Sequence, residues 1–146
     1  MKTNLLSLSF RQVAATDRAP AHLVAELRVD GARLGDGYVL DIAQLSAALA
    51  GTGEFFIFTC GCGEAGCAGL HEGVSSQVDG DAVTWTGDLP KGGAFSVRLS
   101  AVQARKAVVD ALVAVAPLAA AMDGPDGYPI GPEGRMDRAT LARLVG

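Results

Sequence analysis

HLVAELRVDGAR, residues 22–33, is the stretch on which the fold turns. Leu23, Ala25, Leu27 and Val29 fall on one face, opposite Glu26 and Arg28, which is the alternation of a strand with one buried side. Asp30-Gly31 follows, a dipeptide favoured in two-residue type I′ hairpin turns because both central residues there need positive φ. The chain is therefore predicted to turn back through 32–34. Upstream, residues 5–13 alternate in the same way, with Leu6, Leu8 and Phe10 on one side, and 15–20 reads as the connection. Antiparallel strands joined by turns are the starting point.

Downstream, Asp41 and Gln44 stand three apart before Leu45, a variant of the capping box, so a helix is predicted over 41–50. Its buried stripe would be Ile42, Leu45, Ala48 and Leu49, with Gly51 closing it. Residues 54–60, EFFIFTC, are apolar on both faces and read as a central, covered strand. Segments 70–78 and 82–87 flank Asp79-Gly80, and a two-residue turn there would set Val78 opposite Asp81, Ser76 opposite Val83 and Val74 opposite Trp85. Phe95, Val97 and Leu99 alternate with Ser96 and Arg98 as a further strand.

Ser100 can cap a second helix over 100–122, with a stripe of Val102, Val109, Leu112, Val113, Ala116 and Ala120. Pro117 should kink or end it. From Ala111 onward this helix is apolar all round, so that half is expected to be buried in the domain or in a dimer contact. Residues 123–135 are too rich in Gly and Pro for regular structure, and a short helix is predicted over 137–145, with Leu141, Leu144 and Val145 on one side. The pattern predicts an α+β fold: an antiparallel, mostly meandering sheet of about six strands with two main helices packed on one face.

A length of 146 residues fits a single domain, 1–146. Hydrophobic residues at 49%, charged residues at 19% and a mean hydropathy of +0.29 point to a packed chain rather than a disordered one. Aromatics are 5% against 25 Ala and 19 Gly, so the core must use small and branched aliphatic side chains. Twelve Lys and Arg against 16 Asp and Glu give a net charge of −4, the wrong sign for binding phosphate backbones, so no nucleic acid partner is expected. The first ten residues lack the pattern of a signal peptide, and the uncharged run 111–122 is shorter than the roughly 18–20 residues a membrane span needs. Neither a leader nor a membrane span is predicted. An odd number of cysteines, two of them one residue apart, suits a reducing cytoplasm better than a secreted disulfide framework.

Those three cysteines lie in one stretch, CGCGEAGCAGLH, residues 60–71. Its four glycines allow a short loop to bend back and aim several side chains at one point. A structural zinc site takes four N or S ligands, and Cys60, Cys62, Cys67 and His71 supply the number and the chemistry. His71 fits least well: on a strand returning from Cys67 it would stand about 13 Å away at ~3.3 Å per residue. A fourth ligand would then be His22, a carboxylate or a water, and no C-x2-C pair is present. Without metal or any other cofactor, three thiols can pack as small hydrophobes around the turn, and this reading stands ahead of zinc. A disulfide between Cys60 or Cys62 and Cys67 is a third, although Glu64, the one charge in the loop, has the wrong sign to stabilise a thiolate.

The run from the capped helix through EFFIFTCGCGEAGCAGLHEGV to VTW and FSVRL resembles a group of bacterial proteins with a C-x-C-G-x-x-x-C-x-G hairpin, over about residues 38–115. The resemblance implies relatives but no activity. Catalytic signals are thin. His22 and His71 read as strand-surface residues, no Asp or Asn is placed to orient a Cys–His dyad, and Glu64 and Glu72 read as solvated turn charges. The glycines of 61–69 precede no G-K-[ST], so a phosphate loop is not indicated. The sequence thus points to a cytoplasmic, non-enzymatic interaction or binding protein, with a protein partner or a homodimer. The alternative is a structural zinc site or thiol redox chemistry at the Cys60/Cys62/Cys67 turn.

Overall fold

The computed structural model describes residues 2–17, 21–60, 66, 69–122, 128–129, 135–136 and 138–145. In chain order the elements are β1 (Leu6–Val13), β2 (His22–Val29), β3 (Ala32–Arg33), β4 (Val39–Leu40), α1 (Ile42–Ala48), β5 (Gly53–Phe55), β6 (Phe58–Thr59), β7 (Val74–Asp79), β8 (Ala82–Leu89), β9 (Gly93–Ser100), α2 (Ala101–Ala121), β10 (Tyr128–Pro129), β11 (Arg135–Met136) and α3 (Arg138–Val145). The class is α+β with antiparallel ladders, as the patterning predicts. The strands do not form one six-stranded meander. Two main sheets, ordered β1-β2-β3 and β5-β7-β8-β9, are accompanied by the two-stranded pairs β4-β6 and β10-β11.

The first hairpin follows its sequence closely. Leu6 pairs with Val29, Leu8 with Leu27 and Phe10 with Ala25, so the apolar positions of both strands share a face, and all but the half-buried Phe10 are buried. Asp30 (φ 51°) and Gly31 (φ 82°) are both left-handed, as a type I′ turn requires. The Asp30 carboxylate also accepts hydrogen bonds from the Leu5 amide and from Asn4 Nδ2, each at 2.7 Å. Asn4 in turn exchanges hydrogen bonds with the Arg98 backbone, at 2.6 and 2.8 Å, and so joins the first sheet to β9.

The apolar run 54–60 is not one central strand. It splits into β5, at the end of one sheet, and β6, paired with β4. The intervening backbone bonds go to the start of α1: the Phe56 amide donates to Gln44 Oε1 at 3.0 Å, and the Ile57 carbonyl accepts from the Asp41 amide at 2.7 Å. Gln44 therefore does not close a reciprocal capping box. Asp41 still caps α1 by accepting from the Gln44 amide at 3.1 Å, and Ile42, Leu45, Ala48 and Leu49 are buried. β7 begins only at Val74, where Phe55 ends β5, so the predicted strand 70–78 loses its first four residues. A side chain at Gly73 would run into the Phe55 carbonyl, which explains the close approach there.

The β7–β8 register differs from expectation by one turn position. The loop is Gly80-Asp81, with Asp79 opposite Ala82 and Val78 opposite Val83, because the positive φ (61°) falls on Gly80 as first loop residue, the pattern of type II′. Trp85 consequently faces Ser76 rather than Val74. Both are fully buried, and both donate to one acceptor: Ser76 Oγ and Trp85 Nε1 reach the Ala48 carbonyl at 2.7 and 3.3 Å. An orphan carbonyl at the end of α1 is thereby satisfied from the sheet.

Ser100 caps α2 through the Gln103 amide at 3.3 Å. The buried stripe is Ala104, Val108, Leu112, Val115 and Ala119, not the predicted one; of that set only Leu112 is buried. Valines mark the wrong phase because the inner stripe uses alanine at two of its five positions, Ala104 and Ala119, where the helix packs on β1 and β9, leaving Val102 and Val113 outside at 71% and 52% exposure. Pro117 does not end the helix. It is exposed, and the carbonyl it leaves unpaired, that of Val113, lies on the same outer side, where water can take the bond. The tail predicted to lack regular structure holds the β10–β11 ladder, with 130–134 outside the described residues, and α3 packs against α1 and α2 close to its predicted range.

Candidate functional site

The root of the cysteine turn is well defined. Thr59 pairs with Val39, and Cys60 follows it, half-buried. The Thr59 side chain is 4% exposed, and its Oγ1 finds no hydrogen-bond partner among the described residues. The chain returns through Gly69, whose amide donates to Gly66 O at 3.1 Å, and through Leu70, which is buried. His71 and Glu72 are exposed and precede β7, so neither is a strand residue. The extended-strand spacing that set His71 apart from the cysteines falls with that correction. Cys62, Cys67 and Glu64 lie outside the described residues. Among the described residues no three His, Cys, Asp or Glu side chains stand close enough together to hold a metal. His22, read as a strand-surface residue, is instead buried at 6% exposure, as the first residue of β2 and beside the fully buried Leu23.

A second cluster was not singled out by the sequence. On the outer face of the first sheet, Glu26 accepts from Arg11 Nε at 3.2 Å and from Arg28 at 3.1 Å, and Arg33 approaches it at 3.4 Å. The hydrogen bond from Arg11 is foremost in holding the Glu26 carboxyl below its ordinary range, with the Arg28 and Arg33 charges acting in the same direction. Arg28 and Arg33 are cross-strand partners, a like-charge pairing that Glu26 offsets. The available signal was the placement of Glu26 and Arg28 on one face. The cluster is largely self-neutralised, with Asp36 on Arg33 at 3.4 Å, and its chemistry is that of a surface brace.

The third feature is the outer face of α2. Val113 and Leu118 are exposed at 52% and 38%, and Ala114, Pro117, Ala120 and Ala121 are exposed around them. No charged residue occurs from 111 to 122. Beside it, a groove of about 360 Å³ runs between α2 and β1, with Phe10, Ala114 and Leu118 along it. The inner face of the same half-helix is packed, Val115 and Ala119 against Leu23 and Phe10. No helix of the described residues is long and apolar enough to cross a membrane. No family model, curated protein or solved structure matches the chain.

Proposed function

We propose that the chain is a non-enzymatic binding protein that acts by contact, through the outer face of the second half of α2, and that the surface it meets there is a second copy of itself. The observation that carries this is the exposure of Val113 and Leu118 on a helix half with no charge from 111 to 122. Exposed apolar surface of this kind marks an interaction site. A two-fold contact sets a patch against itself. On a chain of net charge −4, an uncharged patch is the surface that can meet its own copy without repulsion. Small side chains at 114, 120 and 121 permit close helix approach.

Light scattering coupled to size exclusion tests this. The wild-type chain should run as a dimer at tens of micromolar, and the double variant Val113→Asp, Leu118→Asp as a folded monomer, since both positions are exposed. A wild-type monomer at such concentrations, or a dimer indifferent to both substitutions, would overturn the reading.

A further inference from the structure

A cleft of about 500 Å³ lies between α1, α2 and α3, well away from the outer face of α2's second half. Its floor is apolar, with Ala47 of α1, Val108 of α2 and Leu144 of α3. Its polar groups are Ser46 and two arginines, Arg105 and Arg143, and among the described residues no carboxylate lines it. Four cations elsewhere are matched, Arg11, Arg28 and Arg33 on Glu26 and Lys106 on Asp110 at 2.5 Å, whereas Lys91, which lies over the Tyr38 ring, and Arg98 form no ion pair among the described residues. Among the described residues neither Arg105 nor Arg143 forms an ion pair, although the chain as a whole is acidic. A last-turn arginine suits the helix dipole, which accounts for Arg143 on α3 but not for Arg105 on the second turn of α2 facing the same cleft.

We infer that this cleft binds a small amphipathic carboxylate, its head held by Arg105 and Arg143 and its aliphatic body laid on Ala47, Val108 and Leu144. The volume is that of a small-molecule site, and a mostly apolar lining with a few polar groups is its usual composition. A guanidinium is a planar fork matched to the two oxygens of a carboxylate, so two of them at the mouth of an apolar cleft specify an anionic head on an apolar tail. The inference does not rest on the dimer reading, because it uses a different face of α2.

Titration with butanoate, hexanoate and octanoate, followed by amide chemical shifts, tests it, with octan-1-ol as the uncharged control. Shifts should concentrate at Ala47, Val108 and Leu144, affinity should rise about threefold to fourfold per methylene, and octanol should bind at least tenfold more weakly than octanoate. Arg105→Gln with Arg143→Gln should cost octanoate tenfold or more while leaving the rest of the spectrum in place, both side chains being exposed. The monomeric Val113→Asp, Leu118→Asp variant should bind octanoate as the wild type does. Equal binding of octanol and octanoate, shifts centred elsewhere, or an unchanged affinity in the arginine variant would overturn the inference.

Discussion

The two faces of α2 are built from the same residue types and do opposite work. Inward, Ala104, Val108, Leu112, Val115 and Ala119 recur at intervals of three and four and are buried against the sheets and the loops between them. Outward, Val102, Val113 and Leu118 are exposed. Hydrophobicity alone therefore does not assign a side here. What distinguishes the faces is phase: the inner residues are the set that the packing of α2 on β1 and β9 turns inward, with alanine at each end of the stripe, and Val102 and Val113 fall outside that set.

The comparison is sharpest at adjacent residues. Leu112 is fully buried and Val113 half exposed, so truncating each to alanine should separate the faces in one experiment. Leu112→Ala should cost about 2–5 kcal/mol, the transfer term plus the cavity, whereas Val113→Ala should stay within about 0.5 kcal/mol. Urea unfolding of both variants, at a concentration where the wild type is monomeric, is the measurement. Comparable losses would mean that the outer face is packed in the monomer.

Pro117 offers the next largest effect, with the opposite sign. It lies inside α2 on the exposed side and removes one helical hydrogen bond, so Pro117→Ala should stabilise the chain, by as much as about 3 kcal/mol if the helix carries the full penalty of an internal proline. A loss of stability would show that the proline's shape is used, either by the fold or by a partner on the outer face. Thermal unfolding beside a dimerisation measurement distinguishes the two.

How much of this was legible in the sequence follows the same division between local and long-range causes. The first hairpin was readable because its turn is written into Asp30-Gly31 and its faces into strict alternation. The caps Asp41 and Ser100 were readable because each acts on an amide three residues on. The 54–60 run misled because its hydrogen bonds depend on Gln44, twelve residues upstream of Phe56, and no periodicity reports that. Asp79-Gly80 misled because the same dipeptide type can place its glycine at either central position. At the candidate sites, the apolar half of α2 was visible as an excess of hydrophobicity but not in phase, since valine outranks alanine in any reading that ignores helix-to-sheet distance. The cleft was invisible, because Ser46, Arg105 and Arg143 come from three helices whose packing no local pattern contains. The cysteine turn was the reverse: conspicuous in sequence, with only Cys60 of its thiols among the described residues.

The smallest expected effect concerns how α2 is held at its start. Asp81, in the β7–β8 turn, accepts from Ser100 Oγ at 2.6 Å and from the Val102 amide at 3.0 Å, and its own carbonyl accepts from the Ala101 amide at 2.7 Å. The hydrogen bond from Ser100, then that from Val102, holds its carboxyl below the ordinary range. Asp30 and Glu26 are lowered as well, by the Leu5 amide and by Arg11 respectively. For a carboxyl lowered on folding, the stabilisation is present above the unfolded pKa, about 4, and is lost as pH falls through the folded value. Stability should therefore decline in acid below about pH 4, with all three carboxylates contributing in the same direction. Asp81→Asn should be less stable than wild type at neutral pH and should converge with it in acid, because only the charged form gains from these bonds and from the helix N-terminus. Thermal midpoints from pH 7 down to about pH 2 give the comparison, and parallel curves would show that the charge is not used. The loosening should also be uneven: Val102, first residue of the outer face, hangs directly on Asp81, while the inner stripe begins at Ala104 beneath apolar neighbours that do not titrate. Amide exchange in acid should accordingly rise at Val102 before it rises at Val108, and a simultaneous rise would mean that the two faces of α2 are not held independently.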